Sequence, residues 1–177
     1  TQNVGAKTDE GNFKAAVKVK TLDNCPTGSG LAGTCYRYDY AVHNFDVARG
    51  VLNTNPPANA GANLQVVSNT GFVSVSLSRG PRSGSLYFDA GNFADIDTDP
   101  ANNWPAALDA DGAKWTAVSG NELNWGTLYR FSLVSNLPPH PSSTAPLTVG
   151  MEGSGPASYS VDIMVPDTFG IVDGFED

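Results

Sequence analysis

Two short runs place carboxylates at alternate positions: Asp95, Asp97 and Asp99 in DIDTDP, then Asp109 and Asp111, followed by Gly112, in LDADG. A loop that offers oxygen ligands at every second residue can wrap a hard cation, so both runs fit a calcium-pinned loop. Neither completes the helix-loop-helix calcium motif, since its twelfth position is Ala106 counted from Asp95 and Gly120 counted from Asp109. Asp, Asn and Pro are equally the residues of ordinary turns, so the two readings stand side by side. Calcium is the one cofactor the sequence suggests.

Other chemistry is sparse. His43 and His140 are isolated, with no carboxylate or Cys at metal-ligand spacing, and read as surface or rim side chains. The chain has many Ser but no nucleophile elbow and no Gly-rich phosphate loop. Glycoside hydrolysis needs two carboxylates across a cleft, and Glu122 with Asp109 is the pair that stays open. The expectation is a non-enzymatic protein. Trp104, Trp115 and Trp125 can serve as sugar-stacking faces among Asn and Asp, or as core and cap residues, the commoner fate of Trp in a sandwich.

Composition narrows the class. The chain has 177 residues, 16% of them charged, with 19 Gly and 12 Pro between short apolar runs, as in an extracellular β-protein with long loops. A net charge of −8, with ten Lys and Arg spread along the chain and no basic run, argues against nucleic acid and anionic lipid as partners. No window is apolar for the 18 or so residues of a transmembrane helix, so membrane insertion is not expected. Cys25 and Cys35 flank the turn-rich insert PTGSGLAGT and are expected to form a disulfide, with two thiols as the alternative. Closing that loop would contribute about 2 to 3 kcal/mol and imply an oxidising compartment. A start at Thr1 fits a mature product whose leader has been removed, and the absence of an Asn-x-Ser/Thr sequon does not contradict a bacterial exported protein.

These residues must be positioned by strands. Asn121–Ser135 reads as a turn ending at Gly126 and then a central strand, with Tyr129, Phe131 and Leu133 on one face, Leu128, Arg130, Ser132 and Val134 on the other, and Trp125 capping the core. FKAAVKVK alternates Phe13, Ala15, Val17 and Val19 against lysines, as a managed edge strand does. Residues 1–12 read as a mobile polar tail ahead of a single domain, 13–177. CYRYDYAVHN puts Tyr36, Tyr38, Tyr40 and Val42 on one face, a core face with hydroxyls at its rim or else a sugar platform. Residues 50–62 read as loop, NLQVVS and GFVSVSLS as a hairpin through Asn69-Thr70-Gly71, Gly80–Gly84 as a turn, and LPPHPSSTAP as a Pro-rich link before LTVGM. Ala90–Gly112 is the longest irregular region, of a length expected to be functional or to be pinned by an ion or partner. About nine to eleven strands without helical periodicity predict an all-β fold, an antiparallel two-sheet β-sandwich, immunoglobulin-like or jelly-roll-like, with long loops.

YRYDYAVHN, NELNWGTLYRFSLVSNLPP and LTVGM together resemble an uncharacterised family of secreted bacterial domains in which an N-x-L-x-W-G-T-L-Y-x-F segment precedes a Pro-rich turn and a short strand. The C-terminal IVDGFED resembles a DGFE tail of some exported bacterial proteins. The resemblance, over roughly residues 35–165, implies export and a β-rich fold, and carries no catalytic or binding residue.

Two functions fit this reading. The first is a secreted structural protein, a self-associating subunit of a fibre, surface or adhesive assembly, in which Phe13, Ala15, Val17 and Val19 add as a strand to a neighbouring copy. The second is an extracellular carbohydrate-binding module that holds polysaccharide on its tryptophans, with calcium fixing the loop.

Overall fold

Tyr129, Phe131 and Leu133 alternate with polar neighbours, and in the computed structural model, which describes residues 1–52, 66–78 and 86–166, they form the inner face of a central strand. Thirteen strands are described: β1 (Gln2–Thr8), β2 (Gly11–Leu22), β3 (Cys35–Asn44), β4 (Arg49–Leu52), β5 (Val66–Thr70), β6 (Ser74–Ser78), β7 (Leu86–Tyr87), β8 (Phe93–Ala94), β9 (Ala106–Leu108), β10 (Gly112–Thr116), β11 (Thr127–Ser135), β12 (Pro139–Gly150) and β13 (Ser158–Pro166). There is no helix among the described residues. One antiparallel sheet runs β1-β2-β3-β11-β7, with β8 also on β11; the second runs β13-β12-β6-β10-β9, and β4 pairs with β5 alone. The fold is the expected all-β sandwich. Phe13, Val17, Tyr38, Tyr40 and Phe131 of the first sheet meet Val75, Leu77, Trp115, Leu147 and Ile163 of the second in one buried core.

The N-terminal segment departs from expectation. Gln2–Thr8 is a strand, paired in continuous register with β2 from Gln2↔Val17 to Thr8↔Gly11. Its alternation is weak, Val4 and Ala6 inward against Asn3, Gly5 and Lys7, which made it look like a tail. Gly11 turns the hairpin at φ 140°, and a Cβ there would fall 2.6 Å from Asp46 Oδ1. With β1 on one side and β3 on the other, β2 is interior and not an edge. Its lysines face solvent because the outer face of the sheet is wet. The outer strands β1 and β13 lie along one side of the sandwich, and the Met164 N–H donates to Gln2 Oε1 at 2.6 Å.

Three further expectations are corrected. β5 and β6 do not form a hairpin: β5 pairs with β4 while β6 pairs with β10 and β12, so Asn69-Thr70-Gly71 leads from one sheet to another. The Pro-rich link is the first half of β12, tolerated because β6 pairs only Leu147–Gly150 and leaves the prolines with a neighbour on one side. Tyr38 and Tyr40 carry their hydroxyls inside, donating to the carbonyls of Leu137 (2.9 Å) and Met164 (3.1 Å) across the core, and Tyr36 is only half-buried. In the stretch read as a 50–62 loop, Gly50–Leu52 belong to β4. The remainder of that loop, the Gly80–Gly84 turn and the IVDGFED tail lie outside the described residues.

Cys25 and Cys35 are joined, with Cα atoms 5.2 Å apart, closing the connection from β2 to β3. Arg49 is the other fastener. Its guanidinium is buried, forms a two-pronged ion pair with Glu10 (2.8 to 3.0 Å) and donates to the carbonyls of Glu152 and Pro156. One side chain thus ties the β1–β2 turn, β4 and the β12–β13 turn together, and the Arg49 hydrogen bond holds the Glu10 carboxyl below its ordinary value.

Candidate functional site

The acidic run folds into consecutive Asx turns. Asp95 Oδ1 accepts from the Asp97 N–H (3.2 Å), Asp97 Oδ1 from the Asp99 N–H (2.7 Å), and Asp99 Oδ1 from the Ala101 N–H (2.9 Å). The second oxygens of Asp95 and Asp97 take the side-chain amides of Asn121 (2.7 Å) and Asn102 (3.0 Å). Asp109 Oδ1 likewise takes the N–H groups of Asp111 and Gly112, each at 2.8 Å, in the β9–β10 turn. The Asn102 amide and the Asp99 N–H lower the Asp97 pKa. No three His, Cys, Asp or Glu side chains converge as metal ligands among the described residues. Short Asx side chains bond their own backbone two residues on, and that accounts for the alternate spacing.

The long Asp95-bearing region is fastened from within. Trp104 is buried, donates its indole N–H to the Asn121 carbonyl at 2.6 Å, stacks on Phe93 and lies edge-on to Tyr129. Asn121 also accepts the Tyr129 hydroxyl at 2.7 Å. Burial, with Asp95, Asp97 and Glu122 nearby, pushes the Tyr129 pKa up to about 12, so this phenol stays protonated and donating. Trp115 is buried against Phe88 and Phe131, its indole N–H on Asn92 Oδ1 at 3.2 Å. Neither ring can stack on a ligand without unfolding its end of the core.

Trp125 is the opposite case. Expected to cap the core, it is 61% exposed. It sits at the second position of a tight turn, closed by Thr127 N–H to Asn124 O (3.2 Å), whose third residue, Gly126, has φ 77°. The turn is anchored twice more, by Gly126 N–H to Asn44 O (2.7 Å) and by Asn124 Oδ1 accepting the Gly71 N–H (3.0 Å). The buried Asn44 amide in turn donates to the carbonyls of Val47 and Leu123. Polar bonds therefore hold the turn while the indole is left to solvent.

Beside this turn, the end of β3 and the start of β11 display further apolar surface. Phe45 (39% exposed) and Leu128 (48% exposed) flank His43, whose ring meets that of Phe45 at a tilt of 41° with centres 4.0 Å apart, and Lys14 Nζ lies 5.2 Å from the Phe45 ring centre. A shallow groove of about 370 Å³ leads away across β1, β2 and β3, floored by Gly5, Ala16 and Ala41 and walled by Lys14, His43 and Leu128. Phe45, Leu128 and Lys14 were not singled out as binding residues by sequence; Leu128 was assigned to the outer face of its strand, and that was the available signal. Of the other expected site residues, Phe13, Ala15 and Val17 are buried in the core and Val19 packs against it. Glu122 and Asp109 line different grooves, the first with Ser74, Thr116 and Glu152, the second with Ser76 and Ser78. His140 lies in β12 and accepts the Ser142 N–H at 3.2 Å. Comparison with known proteins finds no match: no family model, no curated protein and no solved structure.

Proposed function

We propose that the chain is an extracellular, non-enzymatic carbohydrate-binding module whose contact surface is the Trp125 turn with Phe45, Leu128 and His43. The observation that carries this reading is a tryptophan 61% exposed on a turn held in place by two backbone hydrogen bonds and one to the Asn124 side chain. A rigid, wet aromatic face suits the apolar face of a sugar ring, with little conformational entropy to lose on binding. Asn12, Lys14, His43 and Asp46 supply polar groups beside it. The disulfide is compatible with an oxidising, extracellular setting, and among the described residues no helix is long and apolar enough to cross a membrane. Strand addition through β2 is not retained, because both its edges are hydrogen-bonded within the chain.

Trp104 and Trp115 are buried, so a polysaccharide that moves the intrinsic fluorescence toward the blue reports on Trp125. The expected result is such a shift, lost in Trp125→Ala with the melting temperature unchanged. A broad panel of neutral and charged polysaccharides that leaves the emission unmoved would sink the proposal.

A further inference from the structure

Three lysines of FKAAVKVK and cations from three other strands gather on one face in the fold. Of the ten Lys and Arg, six (Lys7, Lys14, Lys18, Lys20, Arg37 and Arg130) occupy outward positions of β1, β2, β3 and β11, on one face of one sheet. Two carboxylates of that face, Asp39 and Asp89, are already engaged with its arginines. Asp39 accepts from Arg37, Arg130 and Ser132, and Asp89 pairs with Arg37 at 3.0 Å. Asp9 and Asp46 stand at its turn end, where Asp46 holds the Asn12 amides. The exposed lysines 7, 14, 18 and 20 form no ion pair among the described residues. On β2, Lys18 and Lys20 are about 7 Å apart along the strand and Lys14 and Lys18 about 13 Å, a line of charge rather than a cluster. The groove over Gly5, Ala16 and Ala41 lies within this line and opens toward Leu128.

In a chain of net charge −8, a face of unpaired lysines concentrates anionic partners and repels little of its own. Resting on the carbohydrate reading above, we infer that the ligand is an anionic polysaccharide, carrying carboxylate or sulfate groups. Its chain lies along β2 with the acidic groups on Lys7, Lys14, Lys18 and Lys20, and one sugar ring seated at the Trp125 and Phe45 end. A linear polyanion matches the one-dimensional spacing of the lysines and the groove floored by the small residues Ala16 and Ala41, with the Lys14 stem lying over Gly5.

The test compares matched pairs: dextran with dextran sulfate, and methyl-esterified pectin with polygalacturonate, read by Trp fluorescence and affinity electrophoresis at low and raised salt. The charged member of at least one pair is expected to bind, and the sulfate and carboxylate arms identify the group read. Binding should weaken on the order of tenfold or more between 0.05 and 0.2 M salt, through screening and counterion release. Lys14→Gln/Lys18→Gln/Lys20→Gln should lose it with an unchanged melting temperature, and Lys114→Gln, on the opposite sheet, should keep it. Equal, salt-independent binding of both members of a pair, unaffected by the lysine changes, overturns the inference and leaves the carbohydrate reading standing. No binding to any of the four overturns both. Single-stranded DNA bound as tightly as the polysaccharides would make the occupant a nucleic acid. Salt-sensitive self-association without polysaccharide, relieved by the triple change, would make it a second copy; either result overturns the inference.

Discussion

Two tryptophan-bearing regions meet at one end of this sandwich and use the residue in opposite ways. In the Asp95–Trp115 region the backbone is irregular as far as β9 and the indoles are structural: Trp104 enters the core and secures the loop ahead of β9, while Trp115 is buried within β10. In the Asn121–Leu128 region the backbone is secured by polar bonds from Asn44 and Asn124, and the indole is left over. Asn121 belongs to both, accepting from Trp104 and Tyr129 and donating to Asp95. Burying one ring seats the loop against the turn that displays the other, so an irregular segment can be essential to a surface without contributing a contact to it.

The contrast can be broken most forcefully at Trp104. Trp104→Ala should cost about 4 kcal/mol, the price of emptying a core site of that size, seen as a large drop in denaturant midpoint. Trp125→Ala should stay within about 0.5 kcal/mol of the parent. Comparable losses from the two would erase the distinction. Next in size is the fastener outside both regions. Arg49→Met should cost about 3 kcal/mol by leaving the Glu10 carboxylate without its cation. Because Arg49 holds the folded Glu10 pKa below its ordinary value of 4.5, the ion pair's share of the stabilisation is complete above that value and is lost as pH falls through the folded one. The gap between parent and variant melting temperatures should therefore narrow on acidification, down to the part owed to the Glu152 and Pro156 carbonyls; a gap that does not narrow would contradict the ion pair. Removing the Cys25–Cys35 bridge by Cys25→Ser/Cys35→Ser should cost about 2 to 3 kcal/mol, with binding at the Trp125 turn retained. The smallest effect is expected at the Asx turns: Asp97→Ala, whose oxygens serve only local, exposed bonds, should cost under about 1 kcal/mol in thermal melts without added metal.

Where residue types alternate strongly, sequence was enough. The inward set of β11, the inward Phe13, Ala15 and Val17 of β2 and the disulfide follow from period two and from loop length. Pairing was not legible. β5 and β6 are separated by three residues and lie in different sheets, a choice made by long-range partners such as Leu147 and Trp115. Edge status failed for the same reason: lysines on β2 report a wet face, whether or not a further strand, here β1, lies beside it. The candidate site was half visible. Trp125 was named for its ring, but its exposure depends on the Gly126–Asn44 bond between strands 80 residues apart in numbering. Three of the four unpaired lysines were legible in the alternating FKAAVKVK run; Lys7 joins them only because β1 pairs with β2.

The Cys25–Cys35 bridge spans a largely exposed connection of the first sheet, Pro26–Thr34, with Gly and Ser at its tip. Extracellular proteases cut such segments first. A cut there would leave β2 and β3 covalently joined at their facing ends, where Leu22 already pairs with Cys35. The two pieces could not diffuse apart, so a nick in this connection would leave the first sheet tied together.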